Sequence, residues 1–243
     1  GDIDVDETNA VTLTNITAAD GSITVDAGGA IGVTSVISST DADTNDISLT
    51  TTSGDITVAT ITSGNAGDVS LSSAAAINDD GSTGTVITAD VLTATAVGGM
   101  TLDTTVNSVD LTTSAAGDID VDETNAVTLT NITAADGSIT VDAGGAITVN
   151  SVVSITDADP NDVSLTTTSG DITINTVTAG NVGDVNLWSA AAINDDGSPD
   201  TSEGWWRNEP NDWGSGEDCT HINFGAAGKW NDLRCNDRQE FVC

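Results

Sequence analysis

The stretch NDISLTTTSGDITVATITSGNAGDVSL, residues 45–71, contains the pattern that decides the fold. It holds the apolar-x-apolar triplets ISL, ITV and VSL, and each follows an Asn-Asp or Gly-Asp pair. Alternation with a period of two residues is typical of a half-buried β-strand. The preceding pairs supply turn chemistry. Similar triplets recur about every 8–12 residues before residue 200, a spacing that indicates an all-β fold.

The same stretch returns at residues 161–187, because residues 1–82 recur as residues 117–198. The part from Gly1 to Ile31 is reproduced without change from Gly117 to Ile147. Several substitutions exchange β-branched residues, such as Ile37 for Val153 and Ile47 for Val163. Such volume-near exchanges predict packed, inward positions. Ser72, which becomes Trp188, is the exception.

Two all-β architectures fit this pattern: a parallel β-solenoid (β-helix), or two tandem β-sandwiches of about 116 residues each. A sandwich core is about 10 Å thick and needs large inner side chains. The chain has no Phe, Tyr or Trp before Trp188. Stacked Val, Ile, Leu and Ala can fill the narrower interior of a solenoid. The composition therefore favours the solenoid, with one long repeat over 1–116 and the next over 117–198.

The charge balance excludes several partners. The 243 residues include 38 acidic and four basic side chains, for a formal charge of −34, and no basic side chain precedes Arg207. Such a surface repels nucleic acid and anionic membranes and attracts divalent cations. No run of about 18 apolar residues suggests a membrane span. His221 is the sole histidine, so no Ser/His/Asp triad can form in the repeats and we predict no enzymatic activity.

An acidic loop in each repeat is a candidate metal site. The loop places Asp41 and Asp43 at alternate positions, and the second repeat places Asp157 and Asp159 in the same way. Oxygen ligands at alternate positions resemble the start of a calcium loop. The alternative interpretation is a solvated, Asx-rich turn, because the turning Gly and the distal Glu of a calcium loop are missing.

The repeats resemble those of large bacterial surface proteins of the filamentous-haemagglutinin type. The resemblance rests on the two stretches 45–71 and 161–187. It implies a parallel β-helix, export to the cell surface or beyond, and a bacterial origin. The sequences Asn15-Ile-Thr17 and Asn131-Ile-Thr133 match the N-glycosylation acceptor pattern, and in a bacterial chain we interpret this match as coincidence. Because residue 1 falls inside a repeat unit, we expect a piece of a longer chain.

The composition changes near residue 200. All three cysteines, both phenylalanines, all four basic residues and four of the five tryptophans lie beyond this point. Pro199 interrupts the strand pattern there. We therefore predict a solenoid domain over residues 1–200 and a second segment over residues 201–243.

Residues 209–243 resemble the C-terminal half of a C-type lectin domain. The resemblance rests on EPNDWGSGEDC at 209–219, GKWNDLRC at 228–235 and FVC at 241–243. It implies one Ca²⁺ surrounded by Glu209, Asn211, Glu217, Asn231 and Asp232. It also implies a disulfide between Cys219 and Cys235, while the family's partner for Cys243 is absent. The N-terminal half of the family's domain is also missing.

The resemblance further implies what the segment binds. The sequence Glu209-Pro-Asn211 is similar to that of family members that prefer mannose, glucose or N-acetylglucosamine. Trp213 could stack on a sugar face or belong to the core of the segment. Asp212 and Asp218 match positions of a secondary Ca²⁺ site. Ca²⁺ takes about six to eight oxygen ligands, so three carboxylates and two amides leave room for two sugar hydroxyls.

Two functions follow from these observations. The first is an extracellular, adhesin-like rod with a calcium-dependent, carbohydrate-binding tip. The alternative is a structural subunit that forms a homo-oligomer or a head-to-tail fibre, with residues 201–243 as a cap or joint that binds no sugar. Uncovered ends of a β-helix present unpaired backbone groups, which favours such association.

Overall fold

The computed structural model describes residues 1–81, 87–156, 160–180 and 182–195, together with the backbone of two later strands. The chain divides into two compact units, Gly1–Asp196 and Gly197–Cys243. The first unit is a parallel β-solenoid of about nine coils, as the sequence predicted. Its described strands pair in parallel, which excludes the tandem-sandwich alternative, since sandwich sheets are antiparallel.

Among the described residues, twenty-three strands form the solenoid and two form a separate antiparallel pair. The strands of the first long repeat and of the coil that follows it are β1 (Ile3–Glu7), β2 (Val11–Leu13), β3 (Ile16–Ala18), β4 (Ile23–Ala27), β5 (Ile31–Val33), β6 (Val36–Ser38), β7 (Ile47–Thr51), β8 (Ile56–Val58), β9 (Ile61–Thr62), β10 (Val69–Ser73), β11 (Ile77–Asp79), β12 (Ile87–Ala96) and β13 (Met100–Thr113). The remaining strands are β14 (Ile119–Glu123), β15 (Val127–Ala134), β16 (Ile139–Ala143), β17 (Ile147–Val149), β18 (Val152–Ser154), β19 (Val163–Thr167), β20 (Ile172–Ile174), β21 (Val177–Thr178), β22 (Val185–Trp188), β23 (Ile193–Asp195), β24 (Cys219–Ile222) and β25 (Trp230–Leu233).

Each coil contributes strands to three faces, and each face is a column of in-register residues. The first face begins with β1, where Ile3 pairs with Ile23. The second face begins with β2, where Val11 pairs with Ile31. The third face begins with β3, where Ile16 pairs with Val36. The chain passes from face to face at short turns, and β4 returns it to the first face.

The second long repeat is advanced by one face relative to the first. Ile119, the sequence equivalent of Ile3, pairs with Met100 in the column of the second face. The coil between the repeats is short, because Leu92 already pairs with Val109. The long strands β12 and β13 belong to this coil. The offset between the two repeats therefore corresponds to whole coils plus one further strand.

The core consists of stacked aliphatic side chains. Ile47 and its equivalent Val163 are both fully buried, as their exchange predicted. The same prediction was wrong for Ile37 and Val153, which lie half-exposed at the middle position of a short strand. In such a strand the middle side chain points away from the core, so a β-branched residue there is not evidence of burial.

Aspartates that precede strands connect successive coils. Asp46 Oδ1 accepts a hydrogen bond from the Asp68 amide one coil later at 3.0 Å, and Asp68 Oδ1 accepts one from the Val91 amide at 3.1 Å. Asp55 Oδ1 accepts one from the Ala76 amide at 2.9 Å. These bonds satisfy backbone donors where the chain passes from one face to the next, whether at a turn or, for Val91, within the long strand β12. The recurring Gly-Asp and Asn-Asp pairs are thus structural.

Candidate functional site

The strands β24 and β25 lie in the part of the chain that resembles a lectin. They pair antiparallel, with Cys219 opposite Leu233 and His221 opposite Asn231. Asn231 and Asp232 are therefore consecutive residues of one strand, and Asp232 lies opposite Thr220. The antiparallel pair brings two of the five predicted calcium ligands onto a regular backbone element.

The other predicted site residues of this segment lie outside the described residues. They are Glu209, Asn211, Asp212, Trp213, Glu217, Asp218 and Cys235. Asp157 and Asp159 of the second acidic loop also lie outside them. The convergence of Glu209, Asn211, Glu217, Asn231 and Asp232 on one ion thus remains a prediction.

The first acidic loop uses its polar side chains within the rod. Asp41 Oδ1 accepts a hydrogen bond from the Ala66 amide at 2.8 Å. Buried Asn45 donates through Nδ2 to Asp20 Oδ1 at 3.0 Å and to the Thr40 carbonyl at 3.1 Å. Asp43 is exposed. Within the described ranges, no group of three or more His, Cys, Asp or Glu side chains could hold a metal ion. The geometry fits the Asx-rich turn.

A row of carboxylates runs along the second face. Asp103 pairs with Asp122, and Asp122 pairs with Asp142, so three like charges stand in register on adjacent strands. They line an open cavity of about 580 Å³. Burial raises the pKa values of Asp103, Asp120 and Asp122, and the neighbouring aspartates raise them further. The ionised row is therefore an unfavourable arrangement at neutral pH.

Among the described residues of the rod, Glu123 is the one buried acidic residue, where the sequence suggested none. Glu123 is 3% exposed and accepts hydrogen bonds from Thr104 Oγ1 at 2.8 Å, the Val106 amide at 3.0 Å and the Asn125 amide at 2.8 Å. Burial raises the pKa of Glu123, although these bonds oppose the shift. Its sequence equivalent, Glu7, is only half-buried. No sequence signal distinguishes the two, because their flanking residues are identical.

Residues 182–243 match the family described as Lectin C-type domain, which confirms the class predicted for the segment. The class is thereby defined for this segment rather than for the whole chain. Among individual proteins, echinoidin of Heliocidaris crassispina is 40% identical over 47 residues, which are 19% of this chain and 32% of echinoidin. The chain thus spans about a third of the length of that relative. No solved structure matches the chain.

The matched range begins inside the solenoid. β22 and β23 lie within it, yet they pair in parallel with β19 and β20 of the rod. Trp188 ends β22, pairs with Thr166 and is 59% exposed.

The resemblance to filamentous-haemagglutinin repeats is supported more weakly than the resemblance to a lectin. A parallel solenoid agrees with such repeats but is not specific to them. No helix in the described residues is long and apolar enough to cross a membrane.

Proposed function

We propose that the chain is an extracellular, adhesin-like rod whose C-terminal segment binds mannose-type glycans through Ca²⁺. The observation that carries the proposal is the lectin match over residues 182–243, which includes the antiparallel pair β24–β25. Echinoidin is similar over 47 residues of this chain. The solenoid supplies a repeat-built support. Neither element suggests an enzyme.

The proposed ligands fit the chemistry of calcium. Glu209, Glu217 and Asp232 supply carboxylates, and Asn211 and Asn231 supply amide oxygens. Ca²⁺ prefers about six to eight oxygen ligands at about 2.3–2.6 Å, so this set leaves positions for two adjacent hydroxyls of glucose, mannose or N-acetylglucosamine. In the same proposal, Asp212 and Asp218 belong to a secondary Ca²⁺ site.

The test is retention of the full chain on immobilised mannan in Ca²⁺, followed by elution with a chelator. Asp232→Asn removes one proposed ligand charge and should abolish retention. Asp43→Asn makes the same charge change at an exposed residue of the rod and should leave retention intact. Circular dichroism should show the β-signal of the rod unchanged in both variants. Retention that survives the chelator, or that Asp232→Asn leaves unaffected, would refute the proposal.

A second candidate function is a self-assembling filament subunit without sugar binding. The last described coil favours it, because Val185 and Ile193 are 42% and 50% exposed, whereas their partners in the preceding coil, Val163 and Ile172, are fully buried. Head-to-tail association through such an edge would cover them. Electron microscopy in chelator distinguishes the two: filaments that persist while mannan retention is absent favour this alternative.

A further inference from the structure

The two acceptor-type sequences, Asn15-Ile-Thr17 and Asn131-Ile-Thr133, lie in the identical stretches 1–31 and 117–147. Asn-x-Thr is the acceptor pattern for N-linked glycans, and an attached glycan is bulky and needs a surface position. Since sequence context is the same in both copies, any difference between them arises from their place in the fold.

In the first copy the asparagine is accessible. Asn15 lies at the corner between β2 and β3, outside any strand, and both Asn15 and Thr17 are exposed. Thr17 Oγ1 donates a hydrogen bond to Asn15 Oδ1 at 3.3 Å. Among the described residues, no protein acceptor bonds to Asn15 Nδ2, so the nitrogen that would carry a glycan is available.

In the second copy the same asparagine is part of the sheet. Asn131 lies inside β15, which runs through the corner without a break, and it pairs with Asp110 of β13. It is half-buried, and its Nδ2 donates to Asp110 Oδ1 at 3.0 Å. The difference follows from the advance by one face, because this advance places the second copy directly beside the long strand β13.

We infer that Asn15 is a site of N-linked glycosylation and that Asn131 is not, which replaces, for Asn15, the interpretation of the match as a coincidence in a bacterial chain. In the transfer, Asn15 Nδ2 forms a bond to C1 of an oligosaccharide carried on a polyprenyl diphosphate. The bond between C1 and the diphosphate oxygen breaks, the lipid diphosphate leaves, and the transferase takes up an amide proton. The inference does not depend on the proposed sugar-binding function.

A glycan at Asn131 would disrupt contacts between β15 and β13. Asn131 Nδ2 donates both to Asp110 Oδ1 at 3.0 Å and to Thr112 Oγ1 at 3.5 Å, so a bond to C1 would remove one of its two hydrogens and break one of these hydrogen bonds, and it would place a branched sugar beside the paired strands. We therefore expect chains that acquired this glycan before folding to be depleted in the folded, secreted material. At Asn15 the glycan extends into solvent from an exposed corner.

The test is secretion of the full chain from a eukaryotic host, followed by peptide-N-glycosidase treatment in heavy-oxygen water and peptide mass spectrometry. We expect the deamidation label at residue 15 and none at residue 131. Thr17→Ala should remove the single glycan from the intact mass, Thr17→Ser should retain it, and Thr133→Ala should change nothing. An unmodified secreted chain, a label at residue 131, or a glycan that persists in Thr17→Ala would each overturn the inference.

Discussion

Thr104 and Glu123 are in-register neighbours on β13 and β14, and the Thr104 hydroxyl donates a hydrogen bond to the Glu123 carboxylate at 2.8 Å. Both residues are buried, at 1% and 3% exposure. The same inward row contains only aliphatic residues in the earlier coils: Ile16, Val36, Ile61 and Ile87. The polar pair therefore marks the place where the second repeat enters the stack, advanced by one face relative to the first.

Replacing Glu123 should destabilise the rod far more than replacing Glu7. Glu123→Ala leaves the buried Val106 amide without its acceptor, and we expect a loss of about 2–4 kcal/mol in the free energy of unfolding. Glu7→Ala removes a contact to the nearby amide of Asn9 and should cost under about 1 kcal/mol. Urea unfolding followed by circular dichroism measures both. Equal losses would contradict the assigned role of Glu123.

Stability should fall as pH rises through the acidic range, above the unfolded aspartate pKa of about 3.9. The folded-state pKa values of Asp103, Asp120 and Asp122 are raised above their usual value, so the folded chain holds more protons than the unfolded chain in this range. The stability that these protonated carboxyls contribute is fully present below their unfolded-state pKa, and it is lost as the pH rises through their folded-state pKa values. The melting temperature across this range provides the measurement.

Asp122→Asn should raise the melting temperature at pH 7 and flatten the pH dependence. Asp122 stands between two like charges, Asp103 and Asp142, whereas its equivalent Asp6 has only Asp26 in register beside it. Like charges directly opposite on neighbouring strands are destabilising. Asp6→Asn is the matched control and should give a smaller rise. A lower melting temperature for Asp122→Asn would show that the row is not repulsive.

Truncating a core side chain should reduce the free energy of unfolding less near the end of the rod than in its middle. Leu71 is 1% exposed and lies between coils, while its equivalent Leu187 is half-buried in the last described coil. Leu71→Ala should reduce the free energy of unfolding by about 2–5 kcal/mol because it leaves a cavity. Leu187→Ala should cost clearly less. Denaturant titrations of the two variants check the difference, and a larger loss at Leu187 would be inconsistent with the described burial.

Removing one aspartate that bonds to the next coil should cause a measurable loss of stability. Asp46→Ala deletes the acceptor of the Asp68 amide and should cost about 1–2 kcal/mol. Asp43→Ala, in the same loop, removes an exposed carboxylate and should change stability little. Thermal unfolding compares the pair. If the two variants behave alike, the aspartates before strands do not connect the coils.

The sequence was sufficient to predict the class of the fold. Period-two triplets identified the strands, and the absence of aromatic residues before Trp188 favoured a solenoid over a sandwich. The turn chemistry of pairs such as Gly54-Asp55 was also predicted, although not the hydrogen bond from one coil to the next that makes the aspartate useful. That bond depends on which residues are stacked, and stacking is not encoded in any local pattern.

The advance by one face could not be predicted. Coil length varies, since Leu92 stacks on Val109 whereas Ile31 stacks on the more distant Ile56, so the spacing of the repeats does not by itself fix the phase. The buried Glu123 and the unequal surroundings of Asn15 and Asn131 both follow from this phase. Because the two copies have identical sequences, the sequence could not predict these differences.

For the lectin-like segment, the motifs at 209–243 predicted the class, while the ion and the sugar remain predictions.

The advance by one face has a consequence for display. A coil has three faces, so a longer run of the same repeat would turn each motif to the next side of the shaft and return it to the starting side after every three copies. Decorations carried by equivalent residues would then spiral around the shaft instead of lining up along one edge. Such a shaft would present equivalent side chains on all three of its faces, so a partner could reach them from any side.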